Sequence, residues 1–541
     1  MERHQGSPAR QTRIVATIGK CPEPTFDVFL HKLCEAGVDV LRLNMSHCDA
    51  GYAKEKAILD WANQPTEPGH APRLAVMADL QGPKVRIGSV AAAGLQLVEG
   101  ATVVLLPEGA DYDPAAEVQA DGSAAVVIPV PEPTGSALLQ GLRDLWRQHP
   151  ASRPAILFGD GDLIVEATGM GPRHLRAQVV AGGTLFSKKG LTVRELDLDL
   201  DPFPPKDQRD LQFCLDQGVD YVALSFVRTP GDLERVRAFM LDHASCQQVS
   251  STRPLPRLVA KIETIAAVEH IDAILEACDG VMVARGDLGL QLGFEAVPGV
   301  QKRLVIAARK QGKPCIIATQ MLESMIANPV PTRAEAADVF NAILDGGDAV
   351  MLSGETSVGA RPYLVVDTMD GIVRKAEAYR MEDRANRAPL RLPPIGPATH
   401  IERINGEFAH MAARLAEQLP AFAIACFSRS GLTPERISRF RPPVPVLAFC
   451  ASDWVARRCL LYWGVHPIVL PGFDTRRDRL GTMVEMARDI LQKRYGMKRG
   501  DPLVVTAGVD WPSGGTNTLQ VRIEDHTEAT IDMDFDGAGR H

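Results

Sequence analysis

An α/β fold is predicted for this chain: a (β/α)8 TIM barrel with an inserted small β-barrel lid domain and a C-terminal α/β three-layer domain. Eight short apolar runs alternate with helical patterns, which is typical of parallel strands joined by crossover helices. One interval between these runs, residues 83–218, is far too long for a loop and has strand periodicity of its own. A further strand–helix series begins near residue 406.

Most of the eight predicted strands are apolar along their length and end in polar residues. The carboxyl ends of the strands form the active-site face of a (β/α)8 barrel, so these polar ends supply the candidate site residues. The predicted strands are residues 13–19, 38–47, 73–82, 219–227, 257–263, 280–289, 314–321 and 348–356.

The domain bounds follow from the same patterns. The long interval holds short β-like runs separated by glycine turns, and such an insertion can close over the barrel mouth as a lid. After the eighth strand, a Pro- and Arg-rich stretch predicts a linker or surface excursion. We predict a barrel domain over 1–84 and 190–380, a lid over 85–189, a linker over 381–405 and a C-terminal α/β domain over 406–541. The strands of the C-terminal domain are predicted near 422–427, 444–450, 466–470 and 501–508.

Composition narrows the class of protein. A formal charge of −8, from 59 basic and 67 acidic residues, gives no overall footprint for nucleic acid or an anionic membrane. The ten cysteines form no C-x-x-C pair, which is typical of reduced thiols in the cytoplasm. The polar start MERHQGSPARQTR lacks the apolar region of a leader, and no apolar run approaches the roughly 20 residues of a membrane span. We therefore expect a cytoplasmic, multidomain protein.

Charged residues gather at the ends of the fifth and sixth strands. Lys261 and Glu263 are two residues apart and so lie on one side of a strand, and Asp287 follows the next strand. Magnesium prefers one or two carboxylates, with waters and substrate oxygens completing its coordination. Taken singly, Lys-x-Glu is typical of a surface ion pair and Gly-Asp of a turn. Together they predict a site for a metal and a phosphate.

The second strand carries a polar face. Arg42, Asn44 and Ser46 alternate with apolar residues, and a guanidinium suits bidentate contact with phosphate. An exposed edge strand would show the same alternation, but a closed barrel has no edge strands. The strand therefore predicts a phosphate-binding face.

Three further strand ends carry candidate residues. The segment Ala284, Arg285, Gly286 and Asp287 can begin a short helix whose N–H groups receive a substrate carboxylate. Thr319 ends the seventh strand, where a β-branched residue bonded only to its own backbone is an equal alternative. Ser353 and Glu355 end the eighth strand and are expected to support the site.

The segments 258–289, 329–362, 186–191 and 216–228 resemble pyruvate kinases, and the resemblance covers about residues 12 to 525. It implies transfer of the phosphoryl group of phosphoenolpyruvate to ADP, with Mg²⁺ or Mn²⁺ as cofactor, in a homotetramer. It implies catalytic roles for Lys261, Arg42 and Thr319, which also bind substrate together with Ala284, Arg285, Gly286 and Asp287. The resemblance implies that the nucleotide is bound by Asn44, His47, Arg86 and Lys189. It implies that the metal is bound by Glu263 and Asp287.

The chain departs from the family at the monovalent cation site. Many pyruvate kinases have Asp-Thr where this chain has Asp79-Leu80, and a Glu where it has Lys84. The ammonium of Lys84 would supply the charge that a bound potassium ion supplies in other members, with Asn44, Ser46, Asp79 and Leu80 as neighbours. Members with Leu and Lys at these positions are potassium-independent, and we expect the same here.

A polar turn in the C-terminal domain is a candidate effector site. Ser428, Arg429, Ser430, Gly431 and Thr433 lie at a strand-to-helix turn, where hydroxyls and N–H groups can cradle an anion, although an ordinary polar turn has the same pattern. The resemblance implies an allosteric sugar phosphate or nucleotide here, and the glycine-rich loop 509–518 could complete the pocket.

Two other functions stay open from the sequence. A metal-dependent aldolase or lyase acting on pyruvate enolate would share the barrel and the two carboxylates, but it does not account for the lid, the second-strand motif or the third domain. A non-catalytic sensor of a phosphorylated metabolite would not need Lys261, Glu263 and Asp287, which are all present.

Overall fold

The computed structural model describes residues 10–523 except 50, 111, 113–124, 195, 197, 199, 247–253, 384–391, 393–399, 471–479 and 509–515. The first part of the barrel consists of β1 (Arg13–Thr17), α1 (Phe26–Ala36), β2 (Val40–Asn44), α2 (Ala53–Ala62) and β3 (Ala75–Asp79). The hydroxyl of Thr25 caps α1 by accepting from the N–H of Val28, and Gly37 ends the helix at a φ of 117°, which favours glycine.

The inserted β domain is confirmed. It consists of β4 (Leu95–Leu97), β5 (Thr102–Pro107), β6 (Val126–Val130), α3 (Thr134–Gln148), β7 (Ala155–Phe158), β8 (Leu163–Met170), β9 (Leu175–Ala181), β10 (Gly183–Leu185) and β11 (Leu191–Val193). Six strands form a mixed sheet in the order β11-β7-β8-β9-β5-β6, and β10 pairs with β4 in a separate two-stranded sheet. Helix α3 buries Leu138, Leu139 and Leu142 in the core of this domain.

The chain then completes the barrel. Its elements are α4 (Pro205–Gln217), β12 (Tyr221–Leu224), α5 (Pro230–Cys246), β13 (Arg257–Ile262), α6 (Ile265–Glu269), α7 (Ile271–Ala277), β14 (Gly280–Ala284), α8 (Arg285–Leu292), α9 (Val297–Lys310), β15 (Cys315–Ala318), α10 (Arg333–Asp345), β16 (Ala349–Leu352), α11 (Gly354–Ser357) and α12 (Pro362–Glu382). The strands close in the order β1-β16-β15-β14-β13-β12-β3-β2, so the predicted eight-stranded barrel is confirmed.

The C-terminal domain is the predicted α/β unit. Its elements are α13 (His400–Gln418), β17 (Ala423–Ser428), α14 (Leu432–Ser438), β18 (Val446–Cys450), α15 (Asp453–Arg458), β19 (Val465–Val469), α16 (Leu480–Tyr495), β20 (Leu503–Ala507) and β21 (Thr518–Arg522). The sheet order is β19-β18-β17-β20-β21. Strand β21, which runs antiparallel to β20, was not predicted because its sequence mixes polar and apolar residues at the edge of the sheet.

The C-terminal domain closes one end of the barrel. Leu460 and Leu461, in a short turn after α15, are buried among inward-facing barrel residues such as Met282 and Ile316. Tyr221, the first residue of β12, bonds through its hydroxyl to the carbonyl of Arg458 in the same region. The C-terminal domain therefore covers the amino ends of the strands, and the carboxyl ends remain available for a site.

None of the helices in the described ranges combines the length and the apolar character that crossing a membrane requires.

Candidate active site

Asp79, at the end of β3, links a cation from β2 with a cation from β13 at the carboxyl ends of the barrel strands. Its Oδ2 accepts from Nε of Arg42 at 2.6 Å, and its Oδ1 lies 3.1 Å from Nζ of Lys261. Burial alone would raise the pKa of Asp79, but the charges of Arg42 and Lys261 outweigh it and the net shift is downward. The three strands β2, β3 and β13 thus hold a buried carboxylate that fixes a guanidinium and an ammonium.

Lys261 is bonded on three sides. Besides Asp79, its Nζ lies 3.0 Å from Oε1 of Glu263 and donates to Oγ of Ser225 at 2.7 Å. Burial lowers the pKa of Lys261, but Asp79 and Glu263 more than compensate, so the pKa is raised overall. Lys261 therefore remains a charged, positioned donor at neutral pH.

Glu263 and Asp287 form the carboxylate pair of the site. Burial, and to a smaller extent the charge of Asp287, raise the pKa of Glu263, although Lys261 opposes the shift. Glu263 is buried and Asp287 is partly exposed. A cation stabilises such a pair of like charges, and one or two carboxylates are the protein ligands that Mg²⁺ commonly uses. The described residues contain no group of three or more His, Cys, Asp or Glu side chains suited to a metal. A metal here would therefore take its remaining ligands from substrate and water.

Lys84 contacts Asp287, one member of this carboxylate pair. Its Nζ lies 2.8 Å from Oδ1 of Asp287 and 6.0 Å from the ring centroid of Phe226. The predicted neighbours Asn44, Ser46, Asp79 and Leu80 are not among its hydrogen-bond or ion-pair partners within the described ranges. Asp79 is already occupied by Arg42 and Lys261, which leaves Asp287 as the carboxylate for Lys84.

The segment after β14 begins a helix, as predicted. Helix α8 starts at Arg285, and the N–H of Gly286 donates to Oγ1 of Thr319 at 2.8 Å. Thr319 itself has a φ of 71°, and the next residue, Gln320, a φ of 52°. A β-branched residue at positive φ is strained, and such strain is concentrated at functional sites. The hydroxyl of Thr319 is thus held beside the start of α8.

The guanidinium of Arg285 is bound by protein groups on α10 and in the turn after β15. It pairs with Asp338 on α10 at 2.7 Å and donates to the carbonyl of Thr319 at 2.7 Å. Of the predicted substrate-binding segment 284–287, Arg285 can therefore contribute its main chain but not its charge. Its side chain instead anchors the turn after β15.

The residues predicted to bind nucleotide come from the end of β2 and from the base of the lid. Asn44 accepts from the N–H of Ser46 at 3.2 Å and caps the turn that carries His47. Burial, followed by the charge of Arg86, lowers the pKa of His47, so its imidazole is neutral at pH 7. Arg86 donates to the carbonyl of Lys188 at 3.0 Å. His47 and Arg86 are therefore close together.

Lys189 lies at the base of the lid. A methyl group placed on Gly159 would come within 3.7 Å of its Nζ, so the side chain extends along the glycine turn 159–161. The same turn approaches the barrel, because a methyl group on Gly161 would lie 3.0 Å from Leu290 of α8. The lid and α8 thus contact each other beside the site.

Glu355 supports two loops at once. One of its carboxylate oxygens accepts from the N–H of Leu322 at 3.1 Å and the other from the N–H of Ser353 at 2.7 Å. It is fully buried. The pair Ser353 and Glu355 therefore joins the loops after β15 and β16 behind Thr319, and Ser353 contributes its main chain.

The predicted effector turn is partly engaged within the protein. Ser428 is buried and accepts from the N–H of Gly431 at 2.9 Å, whereas Arg429 and Ser430 are exposed. The hydroxyl of Thr433 lies 2.9 Å from that of Thr516, at the described end of the loop 509–518. Residues 509–515 lie outside the described ranges. The turn and Thr516 therefore meet, as the sequence predicts.

Sequence reasoning missed several residues of the cluster. Ser225 directly follows β12 and accepts from Nζ of Lys261, and the N–H of Phe226 donates to Glu263 at 2.7 Å. Thr17 ends β1 and accepts from Nη1 of Arg42 at 3.0 Å. Ser225 and Thr17 stand at strand ends, so the rule that selected Thr319 could have found them.

Known proteins of one family match this chain. The family models described as pyruvate kinase, barrel domain, and pyruvate kinase, alpha/beta domain, match residues 9–121 with 143–366 and residues 407–522. Pyruvate kinases of Mycobacterium intracellulare and Agrobacterium vitis are both 37% identical to it, over 516 and 517 residues, which is 95% of this chain and 98% of each relative. A crystal structure of a pyruvate kinase from Cryptosporidium parvum has a TM-score of 0.78 at 27% identity and covers 95% of this chain and 96% of its own. The chain belongs to the pyruvate kinase family and is a phosphotransferase.

Proposed function

We propose that this chain transfers the phosphoryl group of phosphoenolpyruvate to ADP, giving pyruvate and ATP. The observation that carries the proposal is the buried network in which Asp79 holds Arg42 and Lys261 beside the carboxylates Glu263 and Asp287. Phosphoryl transfer requires positioning and charge neutralisation rather than covalent chemistry by the protein. This network supplies two fixed, positively charged side chains and two carboxylates that can hold a metal ion.

Arg42 and Lys261 act on the phosphoryl group. The fork of Arg42 binds two phosphoryl oxygens, and Lys261 neutralises the negative charge that develops on the transferring group and on the enolate oxygen. Asp79 holds both donors in place before substrate arrives, so no reorganisation is needed during the reaction. The raised pKa of Lys261 keeps it protonated throughout.

Glu263 and Asp287 would hold the Mg²⁺ ion, and Mn²⁺ is suited to the same oxygens. When bound, the ion neutralises phosphoryl and enolate charge as a Lewis acid. The main chain at Asp287, at the start of α8, receives the substrate carboxylate, because the N–H of Gly286 is already bonded to Thr319.

Thr319 serves the protonation step. Its hydroxyl, held by the N–H of Gly286, lies next to the position of the substrate carboxylate and can pass a proton from a water chain to the enolate carbon. Asn44, His47, Arg86 and Lys189 bind the nucleotide between barrel and lid. The lowered pKa of His47 makes it a neutral hydrogen-bonding group there rather than a further cation.

The reaction proceeds without potassium. Lys84 brings a permanent ammonium to the metal-binding carboxylates, 2.8 Å from Asp287, and this charge substitutes for a bound monovalent cation. The protein acts in the cytoplasm as a homotetramer, and a sugar phosphate or nucleotide regulates it through Ser428, Arg429, Ser430, Gly431 and Thr433.

Membership of a phosphotransferase family over both barrel and C-terminal domain favours this function over the aldolase and the sensor. An aldolase would ignore ADP, and a sensor would turn over neither substrate. The test is release of pyruvate from phosphoenolpyruvate, ADP and Mg²⁺ in sodium-only buffer, repeated with potassium.

Equal activity in both buffers is expected. Activity only with potassium would retain the kinase and refute the role of Lys84. Absence of pyruvate in both buffers, even with sugar phosphates and AMP added, would refute the proposed function.

A further inference from the structure

A positively charged cleft lies between the barrel and the C-terminal domain, at the end of the barrel opposite the active site. The cleft is narrow and open to solvent, and the space between its lining atoms is about 230 Å³ when the region of open solvent is included. The last turn of α9, the starts of β15 and β16, and the turn after α14 form its walls. Its charged lining residues are Arg309, Lys313, Asp348, Glu435, Arg439 and Arg441.

Both carboxylates of the cleft already have cationic partners, Asp348 within the cleft lining and Glu435 outside it. Oδ1 of Asp348 lies 2.7 Å from Nη1 of Arg441. Oε2 of Glu435 lies 3.2 Å from Nη2 of Arg257 and accepts from the hydroxyl of Tyr462 at 3.1 Å. Four basic side chains therefore line the cleft with two acids, and neither acid pairs with Arg309.

Arg309 reaches the cleft with most of its donors unused. Its Nε donates to the carbonyl of Arg439 at 2.9 Å, which orients the guanidinium. Within the described ranges, Nη1 and Nη2 of Arg309 have no protein acceptor. A guanidinium presents these donors as a planar fork that matches the oxygens of phosphate.

The arginines near Arg309 are held in position by packing against an aromatic ring. Arg441 is buried, with a φ of 53°, and its guanidinium stacks 4.9 Å from the ring centroid of Trp463. Arg380 lies 5.7 Å from the same ring. Burial, followed by the charges of Arg441 and Arg380, lowers the pKa of Arg309 to about 9, although Asp348 opposes the shift.

We propose that this cleft binds a phosphate-type oxyanion, either inorganic phosphate or the phosphate group of a small metabolite, with Arg309 and Lys313 as its ligands. The bound anion accepts from Nη1 and Nη2 of Arg309, which have no protein acceptor within the described ranges. The cleft is separate from the proposed active site, and its walls do not include the turn 428–433. The inference does not depend on the reaction that the chain catalyses.

The test measures the thermal unfolding midpoint of the full chain during titration with inorganic phosphate at constant ionic strength. The variants are Arg309→Gln and Arg309→Lys, and the matched control is Arg303→Gln, an exposed arginine on the same helix. Phosphate raises the midpoint by binding the folded state, and its binding elsewhere is common to all variants. The comparison of Arg309→Gln with Arg303→Gln isolates the cleft.

In Arg309→Gln, we expect the phosphate concentration that gives half of the maximal increase in the unfolding midpoint to be higher by about tenfold or more. In Arg303→Gln, this concentration should equal that of the original chain. Without phosphate, Arg309→Gln should unfold at a higher temperature, because a like charge has been removed. Arg309→Lys keeps the charge and should retain most of the phosphate response. Titrations of Arg309→Gln and Arg303→Gln that superimpose would overturn the proposal.

A second arm distinguishes the source of the anion. A hexose monophosphate and a nucleoside monophosphate replace inorganic phosphate in the same titration. An ester that raises the unfolding midpoint at a lower concentration than phosphate does, but not in Arg309→Gln, identifies a metabolite site. Equal or weaker action of both esters identifies an inorganic phosphate site.

Discussion

Lys84 and Asp287 form an ion pair whose nitrogen and oxygen atoms lie 2.8 Å apart, and it joins the start of the lid segment to the carboxylate pair of the barrel. Both side chains are partly exposed, at 30% and 23%. The ammonium occupies an oxygen that a metal ion would use. Metal binding and the position of the lid segment are therefore expected to be coupled through this pair.

Removal of the ammonium should strengthen metal binding. In Lys84→Met, we expect the affinity for Mn²⁺ without substrates to rise about threefold to tenfold, because the metal ion no longer has to displace an ammonium from Asp287. Titration calorimetry measures the dissociation constant. Lys56→Met, which removes a lysine from an exposed pair with Asp60, is the control and should not change it. Unchanged or weaker binding in Lys84→Met would contradict the competition.

Reversal of the charge should create a need for potassium. We expect Lys84→Glu to release pyruvate slowly in sodium-only buffer and to recover at least about tenfold when potassium is added, because the monovalent cation then replaces the lost ammonium. The original chain, assayed in parallel, should not respond to potassium. A variant that is equally active in both buffers would refute Lys84 as the resident cation.

Asp79 should be needed for both activity and stability. In Asp79→Asn, the buried cations Arg42 and Lys261 lose their shared counter-charge, so we expect kcat to fall about 100-fold or more and the free energy of unfolding to fall by about 3 kcal/mol. Steady-state kinetics and denaturant unfolding measure the two effects. Asp60→Asn, at an exposed ion pair, should change stability by less than about 0.5 kcal/mol. Near-normal kcat in Asp79→Asn would argue against the proposed site.

The hydroxyl of Thr319 should matter more than its methyl group. Thr319→Ser keeps the acceptor for the N–H of Gly286 and should retain most of kcat. Thr319→Val has the same shape but leaves that N–H without its partner, which costs about 1 to 3 kcal/mol, and kcat should fall at least about tenfold. Equal kcat in the two variants would show that the hydroxyl has no role in the reaction.

Asp207, which lies near the lid hinge, should make the free energy of unfolding depend on pH. It is fully buried, and its Oδ2 accepts from the N–H of Gly82 at 2.7 Å. Burial raises its pKa from 3.8 to about 6. Because the folded state holds this proton more tightly than the unfolded state, the contribution of Asp207 to the free energy of unfolding decreases as pH rises from about 4 to about 6.

Asp207→Asn keeps an acceptor oxygen and removes the titration. At pH 7 we expect this variant to be more stable than the original chain by about 2 to 3 kcal/mol, and at pH 4 to be nearly equal to it. Denaturant unfolding at a series of pH values gives the difference. A difference that stays constant from pH 4 to pH 7 would exclude a raised pKa at this carboxyl.

The sequence predicted the barrel, and it placed the candidate site residues at strand ends, because both depend on local patterns. Apolar runs ending in polar residues located the strand ends, and a spacing of two residues placed Lys261 and Glu263 on one side of β13. The same logic gave Arg42, Asp287 and Thr319. Strand β21 escaped prediction, because it is a half-exposed edge strand without an apolar run.

The contacts between these residues were decided by the tertiary structure. Asp79 bridges Arg42 and Lys261, which are distant in sequence, and Asp338 takes the guanidinium of Arg285 away from the site. Ionic partners are set by distance after folding, and alternation along one strand contains no information about which carboxylate on another strand is nearest.

The sequence by itself thus determined the class of fold, the strand ends that carry chemistry and the types of charge gathered there. Only the tertiary structure decided that Lys84 pairs with Asp287 and that Leu460 and Leu461 close the amino end of the barrel. It also decided that Arg309 meets Arg439 and Arg441 in one cleft. The physical reason is that periodicity reports the surroundings of a single element, whereas these pairings join elements that meet only when the chain is folded.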